Sequence, residues 1–191
     1  ANTLAGLAAL GARCGFISQV AQDQLGEVFT HDIRSAGIQF SVAPRPGEPP
    51  TARCLIFVTP DGERTMNTFL GASHYLPATA LDETLIADAA VLYLEGYLWD
   101  PEEPRAAMRK AIAAARRAGR KIAFTPSEVF VIERHRADFL ELIEAGMIDV
   151  LFCNEHEMAA LTGEADFGAG LAQLSPRVPV LVVTRSADGA V

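Results

Sequence analysis

"VLFCNEHEMAALTG", residues 150–163, holds an apolar run that stops at Asn154 and passes into a segment with Glu155 and Glu157 in its first turn. The run has the length and composition of a buried strand, and the segment after it has those of a helix. Asn at the first position and Glu three residues later form a capping box, in which each side chain satisfies an orphan backbone N–H. Whether the pair does more than cap depends on what lies beside it, and that depends on the fold.

The same phrase, a helical segment, a glycine and then an apolar strand, recurs in "LAALGARCGFISQV" (7–20), "IRSAGIQFSV" (33–42), "ARRAGRKIAFT" (115–125) and "IEAGMIDVLFC" (143–153). Gly11, Gly37, Gly119 and Gly146 read as helix stops, since glycine supplies the left-handed residue after a last turn. Apolar residues at helical spacing mark the faces that cover a sheet: Leu25, Phe29 and Ile33; Met108, Ala111, Ile112 and Ala115; Phe139, Leu142 and Ile143. "VLYLEG" (91–96), "KIAFT" (121–125), "DVLFC" (149–153) and "VPVLVVT" (178–184) are short continuous apolar runs, the pattern of central parallel strands buried on both faces. Alternation of helix and strand predicts a layered α/β domain with a mostly parallel sheet.

Residues 38–71 break the rhythm. They hold strand-like pieces and the turn "PDGE" (60–63) but no helical period, so they read as a β-excursion from the sheet, either an ordinary loop or a flap beside a site.

Charge and composition exclude several classes. Asp and Glu number 24 against 16 Lys and Arg, a net charge of −8, and no basic stripe interleaved with aromatics is present, which argues against nucleic acid as a partner. The basic run "RRAGRK" (116–121) closes a predicted helix and reads as a solvated terminus complementing the helix dipole. No apolar stretch reaches the length of a membrane span. Cys14, Cys54 and Cys153, odd in number and set in apolar runs, read as buried thiols of a cytoplasmic protein. "HEMAA" (156–160) lacks the second His of a zinc-protease helix, and His31, His74 and His135 are not at ligand spacing to it. The chain starts without Met inside a helical pattern and stops where a strand is beginning, so part of a longer protein is expected.

In open α/β sheets ligands collect outside the carboxyl ends of the strands. Here those ends carry Glu95-Gly96-Tyr97, Thr125-Pro126-Ser127, Asn154 with Glu157, and Thr184-Arg185-Ser186. A carboxylate and amides at a helix N-terminus suit a hydrated Mg²⁺ carrying an anionic ligand, because Mg²⁺ keeps its waters and needs one or two protein carboxylates. Phosphoryl transfer is the reaction class that fits.

With these residues in place the sequence resembles the ribokinase (PfkB-type) family of carbohydrate and nucleoside kinases, adenosine kinases most of all. "CNEHEMAAL" (153–161) is similar to the family's Asn-x-x-Glu motif, which implies that Asn154 and Glu157 position Mg²⁺ and the phosphates of ATP. "VAQDQLGEVF" (20–29) resembles a Val-Gly-x-Asp-x-x-Gly pattern through Val20, Asp23 and Gly26, with Ala21 in place of its first Gly. "VLVVTRSADGAV" (180–191) resembles the strand and nucleotide loop Thr-x-Gly-x-x-Gly; Thr184 and Gly189 keep the pattern and Ser186 replaces the first Gly. Ala1-Asn2-Thr3 resembles the end of a Gly-Gly-x-x-x-Asn substrate motif, implying that Asn2 bonds a sugar hydroxyl, the alternative being a helix N-cap.

Residues 38–71 match the family's lid. "PTARCLIFVTPDGERTMNTF" (50–69) resembles the adenosine kinase stretch that lines the nucleoside pocket, implying Cys54, Met66 and Thr68 as its wall; the strand period puts Met66 and Thr68 on one face. Arg64 matches a catalytic lid arginine near the phosphates, its alternative being a solvated turn residue. Glu95 matches a ribose contact of ribokinases, and Phe130 matches a base-stacking position, its alternative being a core residue. The resemblance implies a three-layer ribokinase-like α/β fold, residues 1–191 forming one incomplete domain with its β lid at about 38–71. It implies ATP and Mg²⁺ as cofactors, a nucleoside or sugar as substrate, and a monomer or homodimer. A non-catalytic α/β binding protein is the rival from another class. The family's first strand and its Gly-Ala-Gly-Asp run, which holds the catalytic base, have no match here, so the 191 residues alone are expected to be inactive.

Overall fold

A parallel four-stranded sheet carries the second part of the chain: β3 (Val91–Glu95), β4 (Lys121–Thr125), β5 (Val150–Asn154) and β6 (Val180–Thr184), in the spatial order β3-β4-β5-β6. The computed structural model describes residues 1–191, which divide into two units, Ala1–Leu81 and Asp82–Val191.

In the second unit α4 (Glu102–Arg117) joins β3 to β4 and packs on both, while α6 (Glu155–Thr162) packs on β5 and β6; α5 (Val129–Glu144) lies against α6. Met108, Ala111, Ile112 and Ala115 of α4 and Phe139, Leu142 and Ile143 of α5 are buried, as their spacing predicts. Leu94, Ile122, Phe124, Leu151, Cys153 and Val183 form the covered face of the sheet. The expectation of strands buried on both faces holds only for β4: Val91, Phe152 and Val180 on the opposite face are exposed. A sheet whose strands follow in sequence order, with crossovers of one hand, puts its crossing helices on one side.

The run 116–121 is only partly a solvated terminus: Arg117 and Lys121 are exposed, and Arg116 and Arg120 are half-buried. Arg116 Nη1 and Lys121 Nζ reach the nearly buried Asp149 carboxylate at 2.8 and 3.0 Å, and Arg120 Nε donates to the Ala87 carbonyl at 2.6 Å. A carboxylate taken from water at the start of β5 requires such partners.

In the first unit α1 (Asn2–Ala9) and α2 (Gln24–Ser35) enclose a small core of Val20, Ile33, Ile38 and Phe40, where the rings of Phe16, Phe29 and Phe40 meet at 5.8–6.1 Å. Leu25, predicted on that face, is exposed in the first turn of α2. The segments expected as strands after Gly11 (to residue 20) and after Gly37 (to residue 42) run parallel but touch only as isolated bridges, Gly15 to Gln39 and, just beyond them, Ala21 to Arg45. Between the bridges the Gln19 side chain donates to the Ala43 and Val20 carbonyls at 2.9 Å and replaces ladder bonds. The four glycine stops all have φ between +66° and +88°. The β-excursion is an antiparallel hairpin, β1 (Arg53–Val58) and β2 (Arg64–Phe69), closed by the Thr59–Glu63 turn and exposed along its whole length. Cys54 is therefore exposed and Cys14 half-buried; of the three expected buried thiols only Cys153 is one, and all are unpaired. No helix is long and apolar enough to cross a membrane.

Candidate active site

The parallel order of β3 to β6 brings their carboxyl ends to one rim. Glu95 pairs with Thr125 across β3 and β4, and Asn154 with Thr184 across β5 and β6. The capping box is complete: Asn154 Oδ1 accepts the Glu157 N–H at 2.8 Å, and Glu157 Oε2 accepts the Asn154 N–H at 3.0 Å.

Glu157 is only 6 % exposed. Burial pushes its carboxyl above the usual range, the Asn154 N–H opposes this, and the neighbouring charge of Glu128 pushes it higher. Tyr97, in the 3-10 turn after β3, is also shifted up, first by burial and then by the charges of Glu128, Glu157 and Glu95. Burial, with the charge of Glu157, pushes the Cys153 thiol up to about 12, which leaves it inert behind the rim.

Tyr97 lies at the strand end where the sequence placed it, and Glu128 belongs to the rim though no motif marks it. Glu128 accepts the Val129 N–H at 3.2 Å as the cap of α5, and Ser127 before it takes φ +74°. Gly96 runs so close to the Pro126 carbonyl that a Cβ would collide with it, which explains the glycine after Glu95. Phe130, in the first turn of α5, is 46 % exposed beneath the Arg134 guanidinium at 5.2 Å, so the core reading of this residue fails; position 130 falls where α5 has just left the rim. α5 kinks at His135, whose Nε2 lies 3.0 Å from Asp100 Oδ1. One residue on, Arg136 Nε donates to Leu161 O at 2.8 Å and to Ala160 O at 3.2 Å, and its Nη2 to Thr162 O at 3.0 Å; these close the carboxyl end of α6.

Beyond Thr184 a short turn, Ser186–Asp188, leads to Gly189, whose carbonyl accepts the Arg185 N–H at 2.8 Å. Ser186 takes φ +49° and Gly189 φ +82°, ψ −136°.

Asn2, Cys54, Arg64, Met66 and Thr68 belong to the first unit and Glu95, Phe130, Asn154, Glu157, Thr184 and Gly189 to the second. Asn2 is the first helical residue of α1, whose N-cap is Ala1 with no side-chain bond, so the capping alternative for Asn2 fails. Cys54 pairs with Thr68 and Ile56 with Met66 across the hairpin, which puts Cys54, Met66 and Thr68 on one face; Cys54 Sγ and Thr68 Oγ1 are 3.2 Å apart. Arg64 opens β2 at the tip.

No group of three or more His, Cys, Asp or Glu is placed to chelate a metal directly. The donor set at Asn154 and Glu157 fits a hydrated Mg²⁺ instead: one glutamate oxygen is committed to the cap, the other is not, and a desolvated carboxylate beside a second one gains from a nearby cation.

Known proteins share this fold. The adenosine kinase of Sinorhizobium meliloti superimposes with a TM-score of 0.95 at 46 % identity, over 99 % of this chain and 58 % of that one. A "probable sugar kinase protein" of Rhizobium etli CFN 42 gives 0.95 at 42 % identity, over 99 % and 57 %. A fructokinase of Klebsiella pneumoniae is 24 % identical over 193 residues, 99 % of this chain and 63 % of that protein. The chain thus spans about three-fifths of the length of these relatives. The model of the pfkB family carbohydrate kinases matches residues 1–191 from end to end, and the chain, with its ribokinase-like fold, belongs to that family.

Proposed function

We propose that the protein transfers the γ-phosphoryl of ATP to a primary hydroxyl of a nucleoside, adenosine foremost. The observation that carries this reading is the rim itself: the buried Glu157, the Asn154 cap and the Thr184–Gly189 loop stand on adjacent strands of one sheet edge, where a magnesium nucleotide would lie. Asn154 and Glu157 would hold hydrated Mg²⁺, which would supply positive charge against the charge that develops on the transferring phosphoryl group. The α6 N-terminus adds backbone N–H groups and the positive end of its dipole.

Phe130, aromatic and exposed at the rim, supports a base-bearing acceptor, as does the likeness to an adenosine kinase. The hairpin would serve as the lid, with Cys54, Met66 and Thr68 as its acceptor wall and Arg64 at its tip available to transferring phosphate oxygens. Asn2 would bond a hydroxyl of the acceptor. Closing the lid would keep water from the phosphoryl group. Three unpaired thiols support a reducing, cytoplasmic setting.

A sugar acceptor is the second reading. It is favoured by Glu95, which ends β3 on the rim and makes no side-chain cap bond there, and by the likeness to sugar kinases. The full-length protein, assayed with ATP and Mg²⁺ against adenosine, inosine, ribose, fructose and a ketodeoxy sugar, separates them. The highest kcat/KM is expected with adenosine; a preference for fructose or ribose would install the second reading, and no transfer to any acceptor would remove both.

A further inference from the structure

The β1–β2 hairpin leaves its unit on two legs, and both are fixed through one carboxylate. Thr51, two residues before β1, is buried; its N–H donates to Asp23 Oδ2 at 2.8 Å and its hydroxyl to Asp23 Oδ1 at 2.6 Å. The Thr51 hydroxyl oxygen accepts the Ala21 N–H at 2.9 Å, and Asp23 Oδ1 also accepts the Gly26 N–H at 2.8 Å as the cap of α2. A Cβ at Gly26 would collide with the Ala21 carbonyl and crowd Thr51 Oγ1 at 3.1 Å. The second leg hangs on the first: Ala72 N–H donates to Pro50 O at 2.9 Å, and Gly71, with φ +49°, lies too close to that carbonyl to carry a Cβ. Every residue of β1 and β2 is exposed, so the hairpin's bearing is set at its legs and not by packing along its length.

We propose that Asp23 and Thr51 are positioning residues, an anchor that fixes the direction of the hairpin and so the alignment of its Cys54–Met66–Thr68 face with the acceptor. The proposal rests on the kinase reading above, in which the hairpin is the lid. It gives the Val-x-x-Asp-x-x-Gly pattern a physical content: Val20 seats the loop in the core, Asp23 holds the leg, and Gly26 leaves the space in which the leg is held. Neither anchor residue has to touch substrate. A lid that leaves its legs loosely admits water to the phosphoryl group, so loss of the anchor uncouples ATP consumption from transfer more than it lowers ATP binding.

The test uses Thr51→Val and Thr51→Ser in the full-length protein, with Asp23→Asn as a second lesion that keeps the Gly26 bond but turns an amide toward the Thr51 N–H. Amide hydrogen exchange across residues 53–69 is expected to rise about fivefold or more in Thr51→Val, which loses both bonds of the hydroxyl, and to return to the parent value in Thr51→Ser. The ratio of ATP hydrolysed to acceptor phosphorylated is expected to rise by a similar factor in Thr51→Val and Asp23→Asn, with Thr51→Ser restored. Unchanged hairpin exchange in both lesions would overturn the anchor. Raised exchange with an unchanged ratio would reduce it to a fold-stabilising bond. If the parent protein phosphorylates no acceptor, the kinase reading falls, while the exchange measurement still decides whether the anchor exists.

Discussion

Asn154 and Glu157 hold one another's backbone N–H groups, yet only one of the two needs its present chemistry to do so. Gln at the third helical position completes a capping box as well as Glu does. The negative charge at position 157 is therefore surplus to the cap, and it is a buried charge next to Glu128. Glu157→Gln should stabilise the fold by about 1 kcal/mol at neutral pH while it abolishes stabilisation by magnesium ATP. The pH dependence has a definite sign. A carboxyl held above its ordinary value of 4.5 keeps its proton longer in the folded state, so stability falls as pH rises from 4.5 through the folded value. The gain from Glu157→Gln should be small at about pH 4 and larger at about pH 7 in urea denaturation. Equal gains at both would mean that burial of the charge is not its source.

Arg136 couples α5 to the far end of the helix that bears Glu157. Its Nε and Nη2 make three bonds to the last carbonyls of α6, groups that otherwise have no partner and carry the negative end of the helix dipole. Arg136→Ala should cost about 2 kcal/mol, and Arg136→Lys about half of that, since an ammonium keeps the charge but not the fork. Because α6 has only eight residues, loosening its carboxyl end should also weaken its amino end. The measurement is the magnesium dependence of ATP binding in Arg136→Lys; an unaltered dependence alongside a lowered Tm would confine Arg136 to stability.

The loop after β6, proposed above to meet the nucleotide, separates two glycine positions that sequence patterns treat alike. Ser186 takes φ +49°, a left-handed value that a non-glycine residue reaches at a cost of about 1 kcal/mol. Gly189, at φ +82° and ψ −136°, lies where a side chain is not accommodated. Ser186 can thus stand in the first position without altering the loop's path. Ser186→Gly should leave the KM for ATP within about twofold, while Gly189→Ala should raise it about tenfold or more. Steady-state kinetics with the acceptor saturating compares the two, and similar effects at both positions would contradict this distinction.

How much of this was legible in the sequence depended on whether one local signal sufficed. "KIAFT" and "VLFCN" announced their strands, because four or five apolar residues between a glycine stop and a polar tip have few other destinations. The Asn154–Glu157 cap was readable for the same reason, as both partners lie within one helical turn. Glu128 was not readable: what brings it to Glu157 is the pairing of β4 with β5, a relation between residues 29 positions apart. The α5 kink was equally hidden, since "ERHRAD" is a good helical stretch with neither proline nor glycine, and the bend accompanies a contact of His135 with Asp100, 35 residues earlier. Cys54 was misread because its apolar neighbours belong to a two-stranded hairpin that buries neither face.

Substituting Phe130 tests the two proposed acceptor classes against each other. It is nearly half exposed, so Phe130→Ala should change stability by less than about 1 kcal/mol, well below the cost of emptying a core site. If a base stacks on the ring, the same substitution should raise the KM for adenosine about tenfold, the usual effect of removing one stacking partner, with kcat little altered. Phe130→Tyr should retain most of the parent affinity, because it keeps the aromatic face. A sugar has no such face to offer, and its KM should be indifferent to the ring. Measuring adenosine and fructose side by side in the parent and in Phe130→Ala therefore gives a ratio of ratios that does not depend on how active the preparation is. A shift of about tenfold toward fructose supports base stacking at the rim. No shift would remove Phe130 from the acceptor site and leave Glu95, at the neighbouring strand end, as the residue to substitute next.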